Sequence, residues 1–416
     1  MKETWKTVKK LFSSHYALER FGILFISLVV CMGILMTSIS IKVYKDNKIT
    51  LSEQVAYTSS VTTSLTGQNG NIIGIYHSTD RKKCFVLIKF EDMASLSINA
   101  EYYQMFVTGF TPMQQNVKLK TMPLGCIYIF GSTGYMGLYF TSSGGFAKQI
   151  MGVTVRCNKT IVDTALSDAS STYMDASFDS YDQFRFYFNP GGSATKTAKS
   201  LDKSRVNIFE LYEELVTKPN EENIREQLND DLKEMYTKQT AISEYKERLA
   251  REGISSYIIP KQIDGDRVEL NGKGVYQFKT NYIIPKGVNF DWYDGSIKKG
   301  YLDTLKGNLS YTEYFDKLEQ EEITDADEFS TETTWYMTDG TSIKTDETDT
   351  LNLDDASSKE LLGAIDLLTN AWQDFYTLKE QYQCTDLVSL LKLEKEAREA
   401  QSHYTINTNL NALQTY

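Results

Sequence analysis

The chain has 416 residues, with 55 acidic against 44 basic side chains and a formal charge of −11. Residues 303–360 alone carry seventeen Asp or Glu against four Lys. A surface of that sign excludes nucleic acid, whose phosphates demand Lys and Arg. Aromatic residues make up 12%, which supplies sizeable cores and excludes a wholly disordered stalk, and the length suits two or three domains.

Residues 21–41 run without a charge. As a helix rising about 1.5 Å per residue they span the roughly 30 Å hydrocarbon core of a bilayer. The run is longer than the apolar region of a signal peptide and ends Thr37-Ser-Ile-Ser-Ile41, with no Ala-x-Ala site. This predicts an uncleaved signal anchor. Lys2, Lys6, Lys9, Lys10 and Arg20 precede it, which predicts residues 1–20 as a cytoplasmic tail and the rest of the chain as extracellular.

Residues 50–190 read as a β domain. Runs rich in β-branched and aromatic residues recur at 71–77, 84–90, 102–110, 117–120, 126–130, 135–141, 150–156 and 183–188. Gly131-Ser-Thr-Gly134 and Ser78-Thr-Asp-Arg-Lys-Lys83 join neighbouring runs as hairpin loops. That spacing predicts an antiparallel β-sandwich of immunoglobulin-like architecture, without the central Trp of a true immunoglobulin domain. Cys84, Cys126, Cys157 and Cys384 allow three pairings that spacing does not rank, or free thiols. Gly191-Gly-Ser-Ala-Thr-Lys-Thr-Ala-Lys-Ser200 is small and polar, so residues 191–206 read as a linker.

Residues 207–253 form a helical arm in this reading, a short segment stopped near Pro219 and a longer one capped by Asn220 and ended by Gly253. Leu228, Met235, Ile242 and Leu249 stand seven apart, one row of a coiled-coil seam. The companion row, Leu232, Gln239 and Lys246, is half polar, so the helix needs a partner. A second arm, 356–404, supplies one. There Leu361, Ile365, Leu368, Trp372 and Phe375 alternate by four and three, and the phase slips near Lys379 before resuming through Leu387, Leu391 and Glu394. Asp354, Asp355 and Ser357 offer N-cap oxygens for it. The two arms predict a long antiparallel helical hairpin, with a parallel homodimer as rival, and 405–416 is left as a C-terminal tail.

Residues 254–355 are then an inserted β head. Tyr257-Ile-Ile-Pro-Lys261 returns as Tyr282-Ile-Ile-Pro-Lys286, which suits a repeated strand exit or a duplicated binding element. Asp264-Gly-Asp266 and Asn271-Gly-Lys-Gly274 are turn chemistry around a short strand at 267–270. Phe290, Trp292 and Tyr293 group beside acidic residues as a candidate contact for a cell-wall glycan. Trp335 and Tyr336 form an apolar island between acidic arms, either a strand or a partner contact. Glu319-Gln-Glu-Glu322, Asp325-Ala-Asp327 and Asp346-Glu-Thr-Asp349 offer clustered oxygens to Ca²⁺ but match no EF-hand.

No zinc, Walker or dinucleotide motif occurs. The sortase pattern is not met either: Val153-Thr-Val-Arg-Cys157 lacks its Leu and second Thr, and His77 and Arg185 stand at the wrong spacing. The whole chain therefore reads as a membrane-anchored α+β protein. It is expected to be a non-enzymatic structural or adhesive part of a bacterial envelope assembly, of secretion or conjugation type. Its expected partners are the bilayer and other envelope proteins or itself. The alternative is a wall-glycan binder or envelope enzyme acting through the head.

Overall fold

In the computed structural model, the described residues are 6, 17–92, 96–112, 115–159, 181–293, 295–345 and 356–408. Asp346-Glu-Thr-Asp349, the proposed caps Asp354 and Asp355, Asp294 and most of the basic N-terminal tail lie outside them. The chain divides into two units: residues 1–206 with 404–416, and residues 207–403. The second is thus inserted into the first.

The first unit begins with helix α1, Ala17–Glu53. Its segment Leu24–Asp46 is long and apolar enough to cross a membrane, and none of it is buried by the rest of the chain. Within it the hydroxyls of Ser27, Thr37 and Ser40 donate back to the carbonyls of Leu24, Gly33 and Met36. No hydroxyl of these three is left unsatisfied in an apolar setting. The helix outruns the apolar stretch because no Gly or Pro occurs between Gly33 and Gly67 to stop it.

Ten strands follow: β1 (Ser60–Thr62), β2 (Asn69–His77), β3 (Lys83–Phe90), β4 (Tyr103–Phe110), β5 (Asn116–Val117), β6 (Leu124–Phe130), β7 (Tyr135–Thr141), β8 (Ile150–Cys157), β9 (Asp182–Phe188) and β10 (Lys196–Thr197). One sheet has the order β1-β2-β3-β7-β6 and then the C-terminal strand Tyr404–Asn407, with β10 parallel beside β2; the other is β5-β4-β8-β9. Apart from β10 every pairing is antiparallel. Strand β4 alternates buried and half-buried residues throughout, the period-two pattern of a strand with one face on a core. That core joins Val86, Ile88, Leu138 and Phe140 of one sheet to Val107, Val153, Phe184 and Phe186 of the other. Phe90 meets Phe184, and Phe140 meets Phe188, each at 5.5 Å between ring centroids.

The stretch read as a linker is folded. Ala198, Ser200 and Leu201 are buried, β10 pairs with Tyr76 and His77, and Asp202 accepts from Thr79 N and Oγ1 at 2.6 and 2.7 Å. Its small residues answer to close packing rather than freedom. A Cβ on Gly192 would stand 2.6 Å from the Gln54 carbonyl oxygen. Beside it, the buried Asn189 fastens the end of α1: its Nδ2 donates to Leu51 O at 2.7 Å and its backbone N–H to Val55 O at 2.7 Å. Ala194 N donates to Glu53 O at 2.9 Å. The C-terminal tail is also partly a strand, paired with β6 from Tyr404↔Phe130 to Asn407↔Ile127.

In the second unit the first arm is one continuous helix: Ile208–Tyr212, a π turn at Glu213–Thr217, then Lys218–Arg251. Asn207 caps it by accepting from Phe209 N, so Asn220 is not a cap. Pro219 does not stop the helix. In the π turn the Lys218 N–H reaches back to Glu213 O, widening the backbone just where a proline ring would collide. Gly253, at φ +90°, ends the arm as expected. The second arm is Ala356–Glu380, a π turn at Gln381–Asp386, and Leu387–Ser402. The extra residue of that π turn accounts for the phase slip read near Lys379.

Lys238 Nζ meets Asp374 at 2.6 Å and Gln381 Nε2 meets Asp231 at 3.3 Å. Seven residues forward on one arm correspond to seven back on the other, so the arms run antiparallel within one chain. Leu228, Met235, Ile242 and Leu249 are buried, as are Ile365, Leu368, Trp372 and Phe375. The half-polar row has its own partner: Gln239 accepts from Val268 N at 2.6 Å and donates to Val268 O at 3.3 Å. Between the arms lie the sheet of β11 (Ile254–Tyr257), β14 (Thr334–Met337) and β15 (Ser342–Lys344), the hairpin of β12 (Arg267–Leu270) and β13 (Tyr276–Lys279), and short helices Tyr301–Lys306 and Tyr311–Glu319.

Candidate functional site

The five aromatic side chains expected at a contact surface do not form one. Trp292 is buried, and its Nε1 donates to Tyr382 OH at 3.0 Å. Arg225 of the first arm donates to the carbonyls of Trp292 and Gly295 at 2.7 and 3.0 Å, fastening that turn to the helix. Phe290 is half-buried against Tyr301, and Tyr293 OH accepts from Phe278 N at 3.0 Å. Trp335 is the strand residue of the head, stacked on Trp372 with centroids 5.8 Å apart and planes 9° from parallel. Only Tyr336 of the five is exposed. For the other four, aromatic clustering in sequence reported packing of the helical unit, Trp292 against Tyr382 and Trp335 against Trp372 of the second arm, Phe290 and Tyr293 within the head.

The unexpected concentration of chemistry is inside the hairpin, around the second π turn. The Lys379 side chain is wholly buried and all three of its protons are used: on Gln262 O at 2.5 Å, Asp266 Oδ2 at 2.6 Å and Thr280 Oγ1 at 3.0 Å. Burial drives the Lys379 ammonium down and the Asp266 carboxyl up, toward neutrality, while their mutual contact pulls each back toward charge. The pair ties the β12 turn and the end of β13 to the second arm.

Seven residues beyond Lys379, about two turns along the second arm, Asp386 at the end of the π turn meets Asp231 of the first arm. Both are 6% exposed, and one oxygen of each, Oδ2, has no hydrogen-bond donor. Burial first, then the contact with Asp386, with Glu234 and Asp230 adding like charge, raises Asp231 to about 8. Asp231 therefore keeps its proton at neutral pH, beside Asp386 across the hairpin. Beyond the turn, buried Glu394 accepts from Leu302 N at 2.9 Å and pairs with Arg398 at 3.0 Å. Its carboxylate sits at the N-terminus of the helix Tyr301–Lys306. Sequence reasoning read Asp266 as turn chemistry, Lys379 as the place of the phase slip and Glu394 as a seam position, and did not name Asp231 or Asp386. The signal available was charge on a row otherwise apolar, at the position where the heptad slips.

The chemistry sought in the β unit falls apart geometrically. His77 is buried with its ring 6.3 Å from Phe146, and burial, aided by the Arg81 charge and opposed by the Pro190 carbonyl, lowers it to about 4. Cys157 Sγ donates to Lys159 O at 2.8 Å, and Arg185 Nε donates to Thr154 Oγ1 at 2.7 Å. Cys157 and Arg185 each have a separate local partner, and the two ring nitrogens of buried His77 have no hydrogen-bond partner among the described residues. All four cysteines outside α1 are free thiols, so no bridge forms among them. Among the described residues no three His, Cys, Asp or Glu side chains converge as a metal group. No protein-family model matches the chain, and neither a curated protein nor a solved structure matches it.

Proposed function

We propose that the chain is a single-pass membrane protein with a cytoplasmic N-terminus. Its β unit and helical unit are extracellular and serve as a non-enzymatic structural or adhesive part of a bacterial envelope assembly, of secretion or conjugation type. The observation that carries this reading is the hairpin. Its apolar seam is consumed within one chain and polar contacts from arm to arm, Lys238 with Asp374 and Gln381 with Asp231, set its register, so it is a preformed rod that offers its outside to partners. Five basic residues ahead of the apolar helix support the orientation. Two facing antiparallel sheets support an immunoglobulin-like reading of the β unit.

The test is crosslinking of the full chain in its membrane, with photoreactive residues on the outer face of the arms, at exposed Tyr236 and Thr240. Discrete adducts with envelope proteins, or with a second copy, are expected. Adducts only with lipid would end this reading. A substitution such as Met235→Asp is unsuited to it, since that side chain is fully buried and its loss would unfold the hairpin. The alternative, wall-glycan binding or envelope enzymology through the head, retains exposed Tyr336. Retention on purified wall that Tyr336→Ala abolishes would favour it.

A further inference from the structure

The repeated element has the same disposition in both copies. Tyr257 and Tyr282 are half-buried, Ile258 and Ile283 exposed, Ile259 and Ile284 turned inward, Pro260 and Pro285 half-buried, and Lys261 and Lys286 exposed. An extended chain turns alternate residues outward, so packing demands an apolar side chain at only one of the two Ile positions. The outward position carries Ile both times. Ile258 is 64% exposed and Ile283 52%, and with Ile323 at 61% they are the most exposed large apolar residues among the described residues of the second unit.

These three are linked by one segment. Glu321 Oε2 accepts from Lys286 N at 2.9 Å, Asp327 Oδ1 accepts from Tyr282 OH at 2.8 Å, and Thr333 Oγ1 donates to Ile258 O at 2.9 Å. Lys261 reaches Asp327 at 3.9 Å and stands over the Tyr282 ring at 5.5 Å, joining the copies directly. The segment carries Ile323 and is acidic throughout: residues 319–332 hold seven Asp or Glu and no Lys or Arg. Glu321 also lines a cleft of about 690 Å³ beside the helix Tyr311–Glu319.

We propose that Ile258, Ile283 and Ile323, with the acidic segment beside them, dock a segment of a partner protein that carries apolar side chains flanked by Lys or Arg. The proposal rests on the envelope-partner reading and names the surface. The sign of the charge decides the class of occupant. An anionic lipid surface or a nucleic acid would be repelled, and a second copy meeting the patch symmetrically would bring the same acidic segment against itself.

The probe is a fluorescent synthetic peptide of alternating Leu and Lys, measured by anisotropy on the full chain in detergent, against the same peptide with Glu for Lys. The Leu–Lys peptide is expected to bind at least tenfold more tightly. Ile258→Ser with Ile283→Ser and Ile323→Ser should weaken it at least tenfold at unchanged melting temperature. Glu322→Gln with Glu328→Gln and Glu332→Gln should flatten its salt dependence. Equal binding of both peptides, or undiminished binding by the serine variant, overturns the proposal. If the serine variant still crosslinks normally to envelope partners, the patch is wrong while the envelope reading stands. If wild type binds the Leu–Lys peptide at this patch but crosslinks to no envelope protein, the envelope reading fails and the patch stands.

Discussion

The carboxyl groups of Asp231 and Asp386 meet inside the helical hairpin, each with one oxygen that no donor reaches. Two like charges are not tolerated there, so the fold carries a proton. Because Asp231 titrates higher folded than unfolded, the native state binds more protons, and its stabilising contribution is complete below pH 4. It is lost as pH rises toward about 8. The helical unit should therefore lose stability between pH 5 and pH 8. Asp231→Asn should remove most of that slope and stabilise the unit at pH 8 by on the order of 1–3 kcal/mol. Urea unfolding at several pH values, followed by helical circular dichroism, reads it; parallel slopes for the two proteins would refute the proton held on Asp231.

Lys379 presents the converse case, a buried cation with every donor used. Lys379→Met leaves Asp266 buried opposite a methyl group and should cost about 3–5 kcal/mol. Lys379→Met with Asp266→Leu should recover most of the loss, because an apolar pair of similar volume replaces the ion pair. Additive losses in that double-mutant cycle would show that the two side chains act independently.

Truncation after His403 should unsettle the β unit, not the helical one that the cut adjoins in sequence. It removes the strand paired with β6, the Thr405 hydroxyl that links Ile98 O and Ala100 N, and the Asn407 donor to Tyr103 O. Each lost hydrogen bond is worth about 1 kcal/mol. Amide exchange over Leu124–Phe130 should accelerate strongly, and unchanged protection there would mean the strand is dispensable.

Of the clustered aromatics, Trp372→Ala should cost about 3–5 kcal/mol, since it opens a cavity against Trp335 and Tyr257. Tyr336→Ala, exposed on the far side of the same strand, should stay within about 0.5 kcal/mol. Comparable losses from the two would contradict the burial described for β14.

Much of this architecture was legible because period and punctuation report backbone geometry. Seven of the eight β runs fall on strands, while of the run at 117–120 only Val117 is paired; the Asn271-Gly-Lys-Gly274 turn joins β12 to β13, and Leu228, Met235, Ile242 and Leu249 are buried. What escaped has one physical source, that sequence reports the local environment and not the distant partner. Gly191-Gly192 look like a linker, yet they are small because backbones approach them. Pro219 looks like a stop, yet a π turn makes room for it. Residues 404–407 lack a neighbour in sequence to pair with, and their partner β6 lies some 270 residues earlier. The buried polar groups at the π turn were invisible as a group, since Asp231 and Asp386 are brought together only by the antiparallel register.

The grip of Asn189 on Leu51 and Val55 has a mechanical consequence. A transmembrane helix that ends in a slack linker is a tether, and the domain beyond it drifts freely. Here about 10 Å of helix, Asn47–Glu53, separates the end of the apolar segment from the turn that Asn189, just past β9, holds by hydrogen bonds. Under the proposed topology the helix is a strut. Tilt, torsion or piston displacement imposed within the bilayer would be passed through Asn189 to the end of β9, and a load on the β unit would be felt by the helix in return.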